Sequence, residues 1–194
     1  MSLHTLSTAT IDPSVTEYPS AVPISAPHTQ PVLRQPRVGD AAEIWRIAKD
    51  SRVLDTNSSY AYLLWCRDFA STSVVAEVGG RVVGFVIGYL RPQAPETVFV
   101  WQVAVEREQQ GRGLGAALLE TLLDTVAAAG VSALETTIAP DNPASIAMFG
   151  SVARRRAARM TKRSLFDSDL FPDSHADEDL YLIAPTVRKQ EDRP

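Results

Sequence analysis

Three glycines recur at every second position in Gln110-Gly111-Arg112-Gly113-Leu114-Gly115, between an apolar run and a stretch of helical periodicity. A helix N-terminus leaves backbone N–H groups without partners and carries partial positive charge. Glycines let that backbone approach a diphosphate without Cβ interference. The turn is therefore suited to a phosphate-bearing cofactor, held by Gln110, Gly111, Arg112, Gly113, Leu114 and Gly115. The spacing does not fit a P-loop, which needs four residues between its first Gly and Gly-Lys-Ser/Thr. A dinucleotide site would want Gly-x-Gly-x-x-Gly early in a βαβ unit, with an acidic residue on the next strand, and neither is present. The competing reading is a turn with no ligand, and its place directly after an apolar strand weighs against that.

The elements that must position this turn follow from local pattern. Thr97 to Val105 is near-continuously apolar and predicts a strand buried on both faces. From the turn a helix runs through Ala116-Ala117-Leu118-Leu119 to about Ala129, with Gly130 as its cap. Val131 to Ile138 reads as a strand, and Asn142 to about Arg156 as a helix entered through Pro143. Upstream, Ser73–Val78 and Arg81–Tyr89 flank Gly79-Gly80, a hairpin signal. Val32–Arg37 predicts a first strand. A helix then starts at Asp40 as N-cap, with Ile44, Trp45, Ile47 and Ala48 as its apolar stripe. A second helix, Tyr60 to Phe69, turns Leu63, Leu64 and Cys66 inward, and Asp179–Ile183 closes the chain as a strand. The order βααβββαβαβ implies a mixed α/β domain around one central sheet. The basic run Arg154 to Arg163 and the acidic run Asp167 to Asp179 read as a solvated helix end followed by an acidic loop. A dimer contact or a dock for a polyanionic cofactor tail is the functional alternative.

Composition narrows the function class. The chain has 194 residues, 45% hydrophobic and 22% charged, with a net charge of −4. This is ordinary globular usage and enough chain for one sizeable core. The mild acidity argues against a sequence-blind nucleic-acid binder. No run of about 18 apolar residues exists, so no membrane helix and no membrane partner is expected. Cys66 is the single cysteine, which excludes an internal disulfide and a cysteine metal cage. No metal is expected, and a reducing, cytoplasmic setting fits. Residues 1–30 lack Gly, Lys and Arg and are crowded with Ser, Thr and Pro, so they predict a disordered leader. The folded domain is expected over 31–187, with a charged tail at 188–194.

Two motifs together carry a family resemblance. Gln110-x-x-Gly113-x-Gly115 resembles the acyl-CoA diphosphate motif of the GNAT N-acetyltransferases. Asn142-Pro143-Ala144-Ser145, with Phe149 further along, resembles that family's later CoA-contacting helix. The resemblance covers roughly residues 32–185. It implies the GNAT acyl-CoA N-acyltransferase fold, splayed between parallel strands at about 97–105 and 131–138. Acetyl-CoA would be the co-substrate, its arm pairing with backbone near Val103, Ala104 and Val105 and touching Asn142, Ser145 and Phe149. Many members carry Tyr where Phe149 stands, and Phe149 has no hydroxyl to protonate the departing thiolate. The usual Glu on the central strand is also missing, with Trp101-Gln102 in its place.

Three separated segments narrow the resemblance. Asp55 to Cys66, Trp101 to Val105 and His175-x-x-Glu178-x-Leu180 are similar to the diaminobutyrate acetyltransferases of ectoine synthesis, an osmolyte pathway. This implies a small diamino acid substrate acetylated on its γ-amine, in an enzyme that is a homodimer. A free alkylamine has a pKa near ~10, so the site must hold an ammonium and remove its proton. A backbone N–H near Val103 to Val105 would receive the developing negative charge. Asp55 could accept the ammonium. Asn57, Ser59 and the Tyr60 hydroxyl could fix the carboxylate or second amine. Trp101 offers a wall and a cation–π face, and His175 could orient substrate or carry a proton. Asp55, Tyr60 and His175 are the candidates for proton handling. Plainer roles compete: Asp55 or Ser59 as a helix cap, Trp101 as core, His175 as surface. Tyr62, Trp65 and Cys66 read as packing, and Asp177 and Glu178 as solvated. A different small amine, a protein amine, or a non-catalytic CoA-sensing module are the other functions these features allow.

Overall fold

The computed structural model describes residues 30–173 and 175–186, so the expected leader up to residue 29 and the tail at 188–194 lie outside the described residues. Seven strands form one sheet: β1 (Val32–Arg34), β2 (Ser73–Val78), β3 (Arg81–Arg91), β4 (Ala94–Val105), β5 (Ala133–Ile138), β6 (Ala158–Phe166) and β7 (Glu178–Pro185). Their order is β1-β2-β3-β4-β5-β7-β6. Neighbours run antiparallel except β4 and β5, which are parallel. Four helices cover the sheet: α1 (Ala41–Ser51), α2 (Ser59–Asp68), α3 (Leu114–Ala127) and α4 (Pro143–Arg155).

Each face of the sheet has its own core. Ile44, Ile47 and Ala48 of α1 and Tyr62 and Cys66 of α2 pack on Val75, Val82, Phe85 and Ile87. On the other face Leu118, Leu119 and Leu122 of α3 and Phe149 and Val152 of α4 pack on Val74, Val86, Val98, Val100 and Leu134. The hairpin forms where Gly79-Gly80 predicts it, with φ of 59° and 81° at the two glycines.

Several expectations need correction. The basic run after α4 is a strand, β6, paired with β7 and lying at the sheet edge. Lys162 reaches the buried Asp179 of β7 at 2.6 Å, a cross-strand ion pair. Asp40 stands at the N-cap of α1 as expected, but its side chain makes no cap bond there. Its carboxylate accepts the Arg37 N–H at 2.6 Å and binds Arg34 at 2.7 Å, joining α1's entry to β1. The α2 cap is Ser58, whose hydroxyl accepts the Ala61 N–H, so neither Asp55 nor Ser59 is used for capping. Tyr62 and Cys66 face the core, whereas Leu63 is exposed. β1 stops at Arg34, and β4 is not buried on both faces, because Trp101 is 49% exposed.

Candidate active site

The site begins with a fault in β4. Ile87 pairs with Gln102 and Gly88 with Val100, which leaves Trp101 as an extra residue in a β-bulge. The bulge turns Trp101 outward and Gln102, 5% exposed, inward. It also demands Gly88, since a Cβ there would lie 2.5 Å from the Phe99 carbonyl oxygen. β4 and β5 pair only from Thr97↔Ala133 to Val100↔Thr136, and pairing ends where the bulge begins. Beyond it a cleft of about 310 Å³ opens between Val100–Val103 and Thr136–Ala139, with Asn142, Ser145 and Phe149 behind it. This is the expected splay.

At the far end of β4 the glycine turn leads into α3. Gly111 and Gly113 have φ of 75° and 77°, in the left-handed region that favours glycine. The first helical bond is Ala117 N–H to Gly113 carbonyl, 3.0 Å, so the amides of 114–116 precede the helical ladder. No acidic side chain sits in that first turn, and a Cβ on Gly113 would meet nothing within 4 Å. This open, electropositive mouth fits a diphosphate. Gly115 serves helix packing instead, because its Cβ would be 2.5 Å from Met148 Sδ of α4. Gln110 donates from Nε2 to the Val105 carbonyl at 3.0 Å and so braces the turn. Arg112 is exposed and donates to Gln109. Asn142 caps α4, its side chain accepting the Ser145 N–H at 3.1 Å. Phe149 is buried and forms the apolar back of the cleft.

The cleft itself gathers Asp55, Asn57, Trp101, His175 and Glu178, with Phe166 and Phe171, and the glycine turn at 110–115 lies outside its lining. His175 Nδ1 donates to the Ala176 carbonyl at 2.7 Å, and Nε2 lies 3.1 Å from Asp55 Oδ2. A backbone carbonyl and an ionised carboxylate both accept, so the two contacts together favour the imidazolium. The Ala176 carbonyl first, then Asp55, accordingly raise the His175 pKa. The Phe171 ring stacks on the imidazole at 4.1 Å. Ser59 and Tyr60 are not among the residues lining the cleft, and Tyr60 is 64% exposed on the outer turn of α2.

Sequence reasoning passed over Glu178 as solvated. It is half-buried at the start of β7, it lines the cleft, and burial raises its pKa. The available signal was the two-residue period back from Leu180, which places Glu178 on a defined strand face. Asp177 is exposed and only braces the loop, accepting the Ser168 N–H at 2.7 Å.

A larger groove of about 1180 Å³ lies between the end of α1, the β2–β3 turn and the segment after β4. Its inner charges are already matched: Glu106 is shared by Arg46 and Arg81, and Arg46 also binds Glu43. Volume is therefore a poorer guide here than the convergence of the α4 N-terminus at Asn142, an opened strand edge and the carboxylates of Asp55 and Glu178 on the smaller cleft.

Comparison with known proteins agrees with this geometry. The family model described as "Acetyltransferase (GNAT) family" matches residues 40–152. An L-2,4-diaminobutyric acid acetyltransferase of Nocardia farcinica is 66% identical over 191 residues, covering 97% of this chain and 99% of that protein. The Streptomyces coelicolor protein of the same name is 56% identical over 79% of this chain and 92% of its own length. Among solved structures, diaminobutyrate acetyltransferase EctA from Paenibacillus lautus, in complex with L-2,4-diaminobutyric acid and coenzyme A, superposes with a TM-score of 0.77. It is 37% identical and covers 81% of this chain and 96% of that one. On the bulged central strand, the glycine turn into α3 and these likenesses, the chain belongs to the GNAT acetyltransferases, in the group of the L-2,4-diaminobutyric acid acetyltransferases.

Proposed function

We propose that this chain transfers an acetyl group from acetyl-CoA to the γ-amine of L-2,4-diaminobutyrate, giving N4-acetyl-L-2,4-diaminobutyrate for ectoine synthesis. The observation that carries this reading is a cleft lined by Asp55, His175 and Glu178 that opens where β4 parts from β5, on the strand that leads on to the diphosphate-suited N-terminus of α3. The 66% identity to the Nocardia farcinica protein supports the choice of substrate.

Acetyl-CoA supplies a thioester carbonyl that an amine can attack. The amides at the start of α3, with Gly111 and Gly113 clearing the approach, take the diphosphate charge. Beyond Val100 the β5-facing edge of β4 is unpaired, and there Val103 and Val105 offer N–H groups to the position where negative charge develops, whereas Ala104, like Glu106, turns its N–H toward β3. Asp55 accepts an ammonium of the diamine, Asn57 holds its other polar end, and Trp101 forms the wall. His175 sets the orientation of the Asp55 carboxylate. Glu178, whose raised pKa brings it nearer neutrality, takes the proton that frees the γ-amine. Phe149 supplies no proton, so the thiolate is not protonated from that position of α4.

The same reading has the chain working as a homodimer in the cytoplasm, in the response to osmotic stress. The edge strand β6 and the exposed Phe166 and Leu170 beside it offer apolar surface for a second copy.

The test is acetyl transfer from acetyl-CoA to diaminobutyrate, measured beside ornithine, lysine and a peptide amine. A clear kcat/KM preference for diaminobutyrate is expected. No preference would reject the assignment.

A further inference from the structure

We propose that Gln102 is a positioning residue that holds the Asp55 loop over the cleft. This rests on the reading above, in which Asp55 meets the substrate ammonium. The Gln102 side chain lies between two groups. Its Nε2 donates to the Asp55 backbone carbonyl at 2.7 Å, and its Oε1 accepts the Tyr62 hydroxyl at 3.0 Å. The orientation of the amide is fixed by chemistry. A backbone carbonyl can only accept, so nitrogen must face Asp55, and the oxygen is left for the hydroxyl.

The strut is buried at its base. Tyr62 is 0% exposed and Gln102 5%, whereas the Asp55 side chain it steadies is 86% exposed. The loop has little else to hold it. Ser51 Oγ accepts the N–H of Val53 and Leu54, and Ser58 begins the α2 cap. Among the described residues, the hydrogen bonds that reach positions 55–57 from elsewhere are this one and the His175 contact. The bulge at Trp101 puts Gln102 on the α2 side, at the position from which an amide spans from Tyr62 to the loop. Glutamate has the same shape and can replace it only when protonated. Ionised, it turns lone pairs toward the Asp55 carbonyl. Only the protonated acid can donate.

The experiment compares Gln102→Leu, Gln102→Glu and Tyr62→Phe with the parent chain, in steady-state kinetics and in amide exchange of residues 53–57 without substrate. Gln102→Leu should raise the KM for diaminobutyrate about tenfold, the scale of one buried polar group left unpaired, with the KM for acetyl-CoA unchanged. Gln102→Glu should show the same defect at high pH. Its KM relative to the parent should recover as pH falls through the burial-raised pKa of the new carboxyl, and Gln102→Leu should show no such recovery. Tyr62→Phe keeps the ring packing and should give a smaller shift in the same direction, which covers the case of a Gln102 variant that fails to fold. An unchanged diaminobutyrate KM in Gln102→Leu, an equal rise in both KM values, or no pH recovery in Gln102→Glu would overturn the proposal. If the parent chain itself fails to acetylate diaminobutyrate, the substrate assignment falls. The exchange data then decide the strut alone: faster exchange at 53–57 in Gln102→Leu supports it, and unchanged exchange refutes it.

Discussion

Gly113, the N-cap of α3, and Gly130, in the turn that follows it, share a left-handed backbone, and exchanging each for alanine separates folding from cofactor binding. Gly113 sits at φ 77° and Gly130 at φ 84°, both left-handed. An L-residue there costs about 1–2 kcal/mol. For a chain of this size that is a Tm loss of about 2–8 °C in either variant. A Cβ at either position meets no protein atom within 4 Å, so no steric clash with the protein distinguishes them. The 14 residues of α3 hold the two ends roughly 21 Å apart. Only Gly113 adjoins the first-turn amides. Losing one charge-assisted bond to the diphosphate there costs about 1.5–3 kcal/mol, a factor of roughly 10–150 in affinity. Calorimetric titration with CoA, beside thermal melts, reads both quantities. Gly113→Ala should lose affinity and stability, and Gly130→Ala stability alone. Equal CoA affinity in the two variants would refute the placement of the diphosphate.

Three further outcomes follow from the cleft. Glu178→Gln should lower kcat by about 10²–10⁴, the usual worth of a general base. In the parent chain the rate should fall as pH drops through the raised Glu178 pKa, and in pH–rate profiles of the variant that limb should vanish. Gly88→Ala drives a methyl to within 2.5 Å of the Phe99 carbonyl, so it should cost about 1–3 kcal/mol and lower the Tm, with a melt like that of the parent counting against the bulge as drawn. The His175–Asp55 contact has a defined pH sign. His175 has a raised folded pKa, so its tether is fully present below the unfolded value near ~6.5 and is lost as pH rises through the folded value. Amide protection around Asp55 should therefore decline across that interval, and His175→Ala should abolish the decline.

The parts of this site that could be read from residues alone were those set by local backbone chemistry. Gly79-Gly80, the glycine turn at 110–115 and Asn142-Pro143 each demand a particular φ or cap, and each stands where its pattern places it. β6 was hidden because an edge strand can be wet on both sides. Lys162 and Ser164 break the alternation that Ala158 and Met160 begin. Glu178 was masked by its acidic neighbours, since Asp177, Glu178 and Asp179 look alike until the pleat separates them into loop brace, cleft wall and ion-pair partner. The strut of Gln102 depends on a bulge, and a bulge is a property of the pairing between β3 and β4. No local pattern in β4 announces it.

Crystals of this protein grown with CoA and diaminobutyrate together would test the account at its centre. The expected density puts the diphosphate against the amides of residues 114–116, with the γ-nitrogen within hydrogen-bond distance of Glu178 and the other ammonium on Asp55. A diamine bound away from the 310 Å³ cleft, or a diphosphate bound away from α3, would contradict it.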